Sequence, residues 1–259
     1  MLWTHEIDPR DPAPACAALV GAWRRPENRV FVLRAGGEIA DPRAFYEALW
    51  PHLGRPVPIA EDVTAGDRDH QRTGEYWTAV RYDPRFTDAY RHSPNAQPLH
   101  TDGSYIPDYP NATLMVCHSS SAEGGETVFV AAQDVAEVVA GEDPALFRGL
   151  TERPLRHARS GDAQEEYVIR EDGGRTLVNW NYYCVDREAL NGRDGDVERF
   201  QQVLTDSDRL WERVIPVKLE PGDAVTWKDR EVLHGRNAFK ASVEGERFLW
   251  KCAIDIGAF

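Results

Sequence analysis

Residues 113–131 read Thr113-Leu114-Met115-Val116-Cys117-His118, then a polar stretch to Gly124-Gly125-Glu126, then Thr127-Val128-Phe129-Val130-Ala131. Both ends are short runs of apolar and β-branched residues, the kind that fit a pleated, packed surface. The glycine pair between them supplies the backbone freedom of a tight turn. The same unit recurs along the chain: Tyr76 to Tyr82, Tyr167 to Ile169, Arg175 to Trp180, Val214 to Leu219, Ala224 to Trp227 and Phe248 to Ile256. Asp172-Gly173-Gly174 and Pro221-Gly222-Asp223 punctuate it. Many short strands separated by such turns predict a sandwich or jelly roll rather than a parallel sheet.

Helical spacing flanks this β-rich region. It appears at Ala13 to Arg24 and at Asp41 to Leu53, where Asp41-Pro42 reads as an N-cap followed by a first-turn proline. Val30-Phe31-Val32-Leu33 between them reads as a short buried strand. Further helices are expected at Gln133 to Val139 and Val197 to Trp211, on the outside of the β structure. The fold class is therefore mainly β with flanking helices. The polar stretch Ala60 to Thr73 is expected to be a mobile loop and the candidate lid.

With 259 residues, 42% of them hydrophobic and 10% aromatic, the chain can bury a sizeable core, and a single domain over 1–259 is expected. Acidic residues outnumber basic ones by 43 to 30, a formal charge of -13, and no block of Lys and Arg offers a footprint for phosphates. Nucleic acid is thereby excluded as a partner. No apolar run reaches the roughly 18 residues a membrane span needs, and the N-terminus lacks a basic region followed by an apolar stretch. Cys16, Cys117, Cys184 and Cys252 form no C-x-x-C pair, so reduced thiols in a cytoplasmic protein are expected.

The chemistry concentrates at His100-Thr101-Asp102 and His234. On an extended strand, positions two apart share a face, so His100 and Asp102 are placed to grip one ion, with His234 completing the set. Two imidazoles and one carboxylate leave about three of six octahedral positions open, an arrangement suited to non-haem Fe(II). A bare H-x-D triplet decides little, and its surroundings add weight. Gly124-Gly125-Glu126-Thr127 places a turn before a strand, and the segment from Asp229 through His234 and Arg236 leads to Arg247, thirteen residues beyond His234. An arginine grips a carboxylate bidentately, as lysine does not.

Pro98-Leu99-His100-Thr101-Asp102, Gly124-Gly125-Glu126-Thr127 and Leu233-His234-Gly235-Arg236 with Arg247 resemble, in order and spacing, the taurine dioxygenase-like 2-oxoglutarate oxygenases, including the γ-butyrobetaine hydroxylase branch. The resemblance covers roughly Tyr76 to Asp255. It implies a double-stranded β-helix, Fe(II) held by His100, Asp102 and His234, and 2-oxoglutarate bound through its far carboxylate by Arg247 with help from the Thr127 hydroxyl. It implies an enzyme that uses dioxygen to hydroxylate a small molecule, with release of succinate and CO2. Arg236 shares strand parity with His234, which leaves it as a second candidate for the cosubstrate or the substrate. The cysteine-rich zinc-binding extension found on γ-butyrobetaine hydroxylase is not in this sequence, a departure that puts that particular activity in doubt. The carboxylate at Asp102 separates the chain from halogenating relatives, which have a small residue there.

For the substrate itself, Trp77, Arg81 and Asn181 are the leading candidates, because they mix apolar and polar contacts as small-ligand sites do. Two rival readings use the same residues: a zinc-dependent hydrolase on the same three ligands, and a non-catalytic jelly-roll binding protein. Asp223 reads as a turn residue, and His92, His118 and His157 have no partner at ligand spacing. Oligomeric state is not legible in the sequence.

Overall fold

The structure, a computed structural model, describes residues 1–58, 75–86, 89–159 and 161–258. The expected lid, Ala60 to Thr73, lies outside the described residues. The chain begins with strand β1 (Leu2–Ile7), helix α1 (Ala13–Trp23), β2 (Val30–Ala35), helices α2 (Pro42–Ala48) and α3 (Trp50–Leu53), and β3 (Gly54–Val57). There follow β4 (Thr78–Arg81), β5 (Gln97–His100), β6 (Ala112–Ser119) and β7 (Thr127–Ala131). Helices α4 (Ala132–Glu142) and α5 (Pro144–Glu152) lead into two hairpins, β8 (Leu155–Arg159) with β9 (Asp162–Glu166) and β10 (Ile169–Asp172) with β11 (Arg175–Val178). After α6 (Asp194–Asp206) and α7 (Asp208–Trp211) come β12 (Ile215–Val217), β13 (Ala224–Lys228), β14 (Val232–Arg236) and β15 (Phe248–Ile256).

Two sheets form a double-stranded β-helix. The larger runs β1-β2-β13-β6-β15-β3, with β4 also paired to β15, and the smaller runs β12-β7-β14-β5. Side-chain alternation then sorts residues into layers. Met115 and Cys117 of β6, Val225 and Trp227 of β13 and Leu249 of β15 point inward and meet Phe129 of β7 and Val232 of β14. The opposite parity, Leu114 and Val116 with Phe31 and Leu33, packs outward on Leu19 of α1, Tyr46 of α2 and Leu53 of α3. Val128, Val130 and Leu233 of the smaller sheet pack outward on Val135, Leu146 and Phe200 of α4, α5 and α6. Both sheets are thus covered on both faces. This is why their strands read as near-continuous apolar runs, each fully buried Val, Leu or Phe contributing about 1.5–3 kcal/mol.

Helix ends follow local chemistry. Asp41 caps α2 by accepting from the Ala44 N–H (3.1 Å), as its pairing with Pro42 predicts. The expected continuous helix Asp41 to Leu53 instead divides at Leu49. Pro51 has no N–H to return to the preceding turn. The expected helix Val197 to Trp211 divides at Ser207, whose hydroxyl accepts from the Leu210 N–H (3.3 Å) and starts α7. No described helix is long and apolar enough to cross a membrane.

His157 is fully buried, edge-on to Trp180 with ring centroids 6.1 Å apart. Burial disfavours the imidazolium and pushes the group down to about 3. Because the folded state refuses a proton that the unfolded chain accepts near pH 6.5, folding stability falls as pH drops from about 6.5 towards 3. We expect this residue alone to cost about 1.4 kcal/mol per pH unit in that window. Urea unfolding of wild type and His157→Leu at pH 7, 5.5 and 4.5 should show the shallower decline for the variant; parallel declines would contradict the assignment.

Candidate metal centre and its cavity

His100 ends β5, and His234 stands opposite it on β14 in the antiparallel register. Their rings lie 4.2 Å apart, and His100 Nε2 and His234 Nε2 stand 3.9 and 3.7 Å from the two carboxylate oxygens of Asp102. One ligand atom from each of the three lies within 4.8 Å of the others, and all three residues are buried. Asp102 does not continue the strand, contrary to the sequence-based expectation. β5 stops at His100, and the chain turns through Gly103 at φ 54, where a Cβ would sit 2.1 Å from the Tyr109 ring. The turn, rather than strand alternation, brings Asp102 back towards His100.

The donors are set for a metal. His100 Nδ1 lies 2.9 Å from the Pro98 carbonyl, a bond that puts the proton on Nδ1 and leaves the Nε2 lone pair facing the site. The Gln97 amide approaches that lone pair at 3.2 Å, a contact that a metal would replace. Burial lowers the pKa of both histidines, so both are neutral ligands at pH 7. Burial alone would raise Asp102, yet the charge and hydrogen bond of Lys251 lead the interactions that outweigh it and hold the carboxyl below its ordinary range. Lys251 Nζ donates to Asp102 Oδ1 (2.6 Å) and Thr113 Oγ1 donates to Oδ2 (2.9 Å). Behind them the Asp102 N–H reaches Asp229 Oδ1 (3.4 Å); burial and then the Asp102 charge push Asp229 up to about 7.

The two candidate arginines differ in what they hold. Arg236 Nη2 donates to the carbonyls of Ser93 (2.8 Å) and Asn95 (2.5 Å), tying down the segment before β5. Arg247 donates only Nε, to the Gly125 carbonyl (3.2 Å), and among the described residues its two terminal nitrogens make no hydrogen bond. Both guanidinium groups flank the Phe239 ring, at 5.1 and 5.3 Å. Burial lowers Arg236 to about 9 and Arg247 to about 10, which leaves both cationic at neutral pH. Thr127 is buried opposite Arg236 in the ladder, two residues from the Phe129 that faces His234. That places it about 7 Å along the strand from the metal ligand. Thr127, Gly125 and Arg247 line one small cavity.

Gly125, at φ 77, carries that arrangement: a Cβ there would stand 2.9 Å from Arg247 Nε and 2.7 Å from Ser121 Oγ. If Arg247 anchors 2-oxoglutarate, as the family resemblance implies, Gly125→Ala should displace it and raise the 2-oxoglutarate concentration needed for half-maximal turnover by about tenfold, an effect of about 1.4 kcal/mol. Steady-state titration of 2-oxoglutarate measures it; an unchanged requirement would detach Gly125 from the cosubstrate site.

His100, Asp102 and His234 border a cavity of about 180 Å³, whose walls include Thr78, Val80, Met115 and Asn181. Asn181 is thus at the cavity, on a turn beyond the expected strand Arg175 to Trp180: β11 ends at Val178, and Asn181 Oδ1 caps the following turn by accepting from Tyr183 N (3.2 Å). Trp77 and Arg81 are placed elsewhere. Trp77 is buried on the outer face of the larger sheet, stacked on Trp50 and donating to Glu47 (3.1 Å). Arg81 pairs with Glu244 (3.2 Å). On β4 the inward positions are Thr78 and Val80, one residue out of step with the sequence-based choice. Sequence reading also passed over Lys251, which shares the inward parity of Arg247 and Leu249; an inward lysine in an apolar strand was the available signal. Asp223 has the structural role expected of it, accepting from Arg34 (2.6 Å) and from the N–H groups of Ala35 and Glu220.

Comparison with known proteins is consistent across sequence and shape. Residues 6–253 match the family described as taurine catabolism dioxygenase TauD, TfdA family. Over 169 residues the chain is 30% identical to the mitochondrial trimethyllysine dioxygenase of Gallus gallus, which covers 60% of this chain and 39% of that one. Over 170 residues it is 28% identical to the γ-butyrobetaine dioxygenase of Pseudomonas sp. (strain AK-1), covering 61% and 43%. The chain therefore spans less than half the length of these relatives. The crystal structure of asparagine oxygenase with Fe(II), 2S,3S-3-hydroxyasparagine and succinate superposes with a TM-score of 0.67 at 15% identity, covering 94% of this chain and 79% of that one. PvcB from Pseudomonas aeruginosa gives 0.65 at 15% identity, covering 98% and 86%.

Proposed function

This chain belongs to the taurine catabolism dioxygenase TauD, TfdA family, and on that premise we propose that it is an Fe(II)- and 2-oxoglutarate-dependent dioxygenase that hydroxylates a small molecule. The observation that carries the reading is the three-donor face of His100, Asp102 and His234 at the edge of a cavity. Three protein ligands on one side of an ion leave room for a bidentate keto acid and dioxygen. The bound metal would couple oxidative decarboxylation of 2-oxoglutarate, giving succinate and CO2, to insertion of one oxygen atom into a substrate C–H bond. The protein's own residues do the rest. Arg247 offers a forked cation to the far carboxylate and Thr127 a hydroxyl, while His100, Asp102 and His234 hold the ion in a water-poor site. The names of the sequence relatives, trimethyllysine and γ-butyrobetaine dioxygenase, support a small-molecule substrate. The four cysteines, all buried and none in a disulfide, suit the reducing cytoplasm.

Purified protein incubated in air with Fe(II), 2-oxoglutarate and a panel of amino acids, amines and carboxylic acids should release succinate, followed by mass spectrometry. Substituting Zn(II) for Fe(II) should abolish the signal. Turnover of any substrate on Zn(II) without consumption of 2-oxoglutarate would move the assignment to a hydrolase.

A further inference from the structure

Of the three metal donors, Asp102 alone lies off the strands. His100 and His234 face each other across β5 and β14 of the smaller sheet, whereas Asp102 follows β5 on the turn at Gly103. Its position is fixed from the larger sheet. Lys251 of β15 donates to Oδ1 (2.6 Å) and Thr113 of β6 to Oδ2 (2.9 Å), while the Asp102 N–H reaches Oδ1 of Asp229 (3.4 Å), the residue after β13. Trp227 of β13 donates through Nε1 to the same Asp229 oxygen (3.4 Å). Strands β13, β6 and β15 are consecutive neighbours in that sheet. The donor set therefore spans both sheets, and Asp102 is the point where the larger one takes hold of it.

Lys251 and Thr113 act on the carboxylate as a pair. They are diagonal neighbours in the ladder, where Lys251 pairs with Met115 and Thr113 with Ala253. Thr113 is fully buried and the side chains of Lys251 and Asp102 are 19% and 9% exposed, so little water competes for the two carboxylate oxygens. The consequence lies in how Asp102 can meet an ion. A carboxylate binds through one oxygen or, turned to present both, through two. Two imidazoles and one oxygen leave about three of six positions, which a chelating keto acid and dioxygen together fill. A chelating Asp102 would take one of them. With a separate donor on each oxygen, the carboxylate plane is held against the rotation that chelation requires.

Resting on the oxygenase reading above, we infer that Lys251 and Thr113 are positioning residues that keep Asp102 a one-oxygen ligand and so hold open a coordination position that 2-oxoglutarate needs. An ion pair that served the fold alone would leave the ligand mode untouched when it was removed. So would an ammonium that merely drew the anionic cosubstrate in, and Thr113, which carries no charge, separates that case from the clamp.

The test loads the protein with Mn(II), which needs no protection from air, and counts metal-bound water by water-proton relaxation before and after 2-oxoglutarate is titrated in; calorimetry gives the affinity of each. Lys251→Met and Thr113→Val should each bind Mn(II) with its relaxation enhancement lowered by about a third, as one of three waters gives way to the second carboxylate oxygen. Both should bind 2-oxoglutarate about tenfold more weakly, the scale on which partners of a metal ligand act. Thr113→Ser should match wild type in both measurements, and Lys251→Arg should recover most of the loss. If Lys251→Met does not fold, Thr113→Val carries the test, since it alters no charge and little shape. Wild-type relaxation in the Mn(II) form of Thr113→Val, or failure of that variant to bind Mn(II), overturns this inference while the oxygenase reading stands. If 2-oxoglutarate displaces no water from Mn(II) in the wild-type protein, the underlying reading fails and this one with it.

Discussion

His234→Ala is expected to lose Fe(II) binding and to lower 2-oxoglutarate turnover by more than about 100-fold, the upper end of what disturbing a ligand's supporting partners alone costs. His234 supplies one of three donors, and its Nε2 faces the Asp102 carboxylate at 3.7 Å with the His100 ring 4.2 Å away. Removing it leaves one imidazole and one carboxylate, too few to hold a divalent ion against water. The fold should survive, because His234 is already neutral and buried and Val232 and Leu233 keep their packing in the two core layers beside it. Metal content after gel filtration and a thermal melt check both halves. Full turnover in the variant would show that the three residues are not the metal set.

Arg247→Ala should raise the 2-oxoglutarate requirement far more than Arg236→Ala. Losing a charge-assisted bidentate pair to a buried carboxylate costs on the order of 2–5 kcal/mol, roughly thirty- to several-thousand-fold. The physical difference lies in prior commitments. Arg236 directs its Nη2 to two backbone carbonyls and fixes the segment leading to His100, whereas among the described residues the terminal nitrogens of Arg247 make no hydrogen bond. Arg236→Ala should therefore lower the melting temperature with a smaller change in cosubstrate requirement, and Arg247→Lys should recover only part of the loss because an ammonium lacks the fork. A larger cosubstrate effect at Arg236 would exchange the two roles.

The central strands were legible because burial on both faces leaves a continuous apolar signature: Thr127–Ala131 and Phe248–Ile256 have the boundaries the sequence predicts. Strands β1 and β9 were not legible. β9 is Asp162–Glu166, polar but for Ala163, and takes its conformation from pairing with β8 rather than from any pattern of its own. Helix α5 was passed over although Asp143-Pro144 carries the same cap chemistry as Asp41-Pro42, with Asp143 accepting from Leu146 N (2.9 Å). At the site, residue types at characteristic spacing marked His100, Asp102 and His234, but not how the turn at Gly103 closes them together. Parity decided the rest. Trp77 and Arg81, selected for mixing apolar and polar contacts, fall on the outward parity of β4, while Thr78 and Val80 face the cavity; counting on by twos from Arg247 reaches Lys251 directly. Register depends on partners distant in sequence, which is why a one-residue slip is invisible in a single strand and exchanges its two faces.

The most direct measurement of the central claim is anaerobic addition of Fe(II) and then 2-oxoglutarate, followed by substrate and isotopically labelled dioxygen. A weak visible charge-transfer band should appear only when both metal and keto acid are present, should be absent in His234→Ala, and should need far more 2-oxoglutarate in Arg247→Ala. After oxygen is admitted, one labelled atom should be found in succinate and, for a hydroxylation, the other in the product. No band, no label in succinate, and activity that persists on Zn(II) would contradict the account.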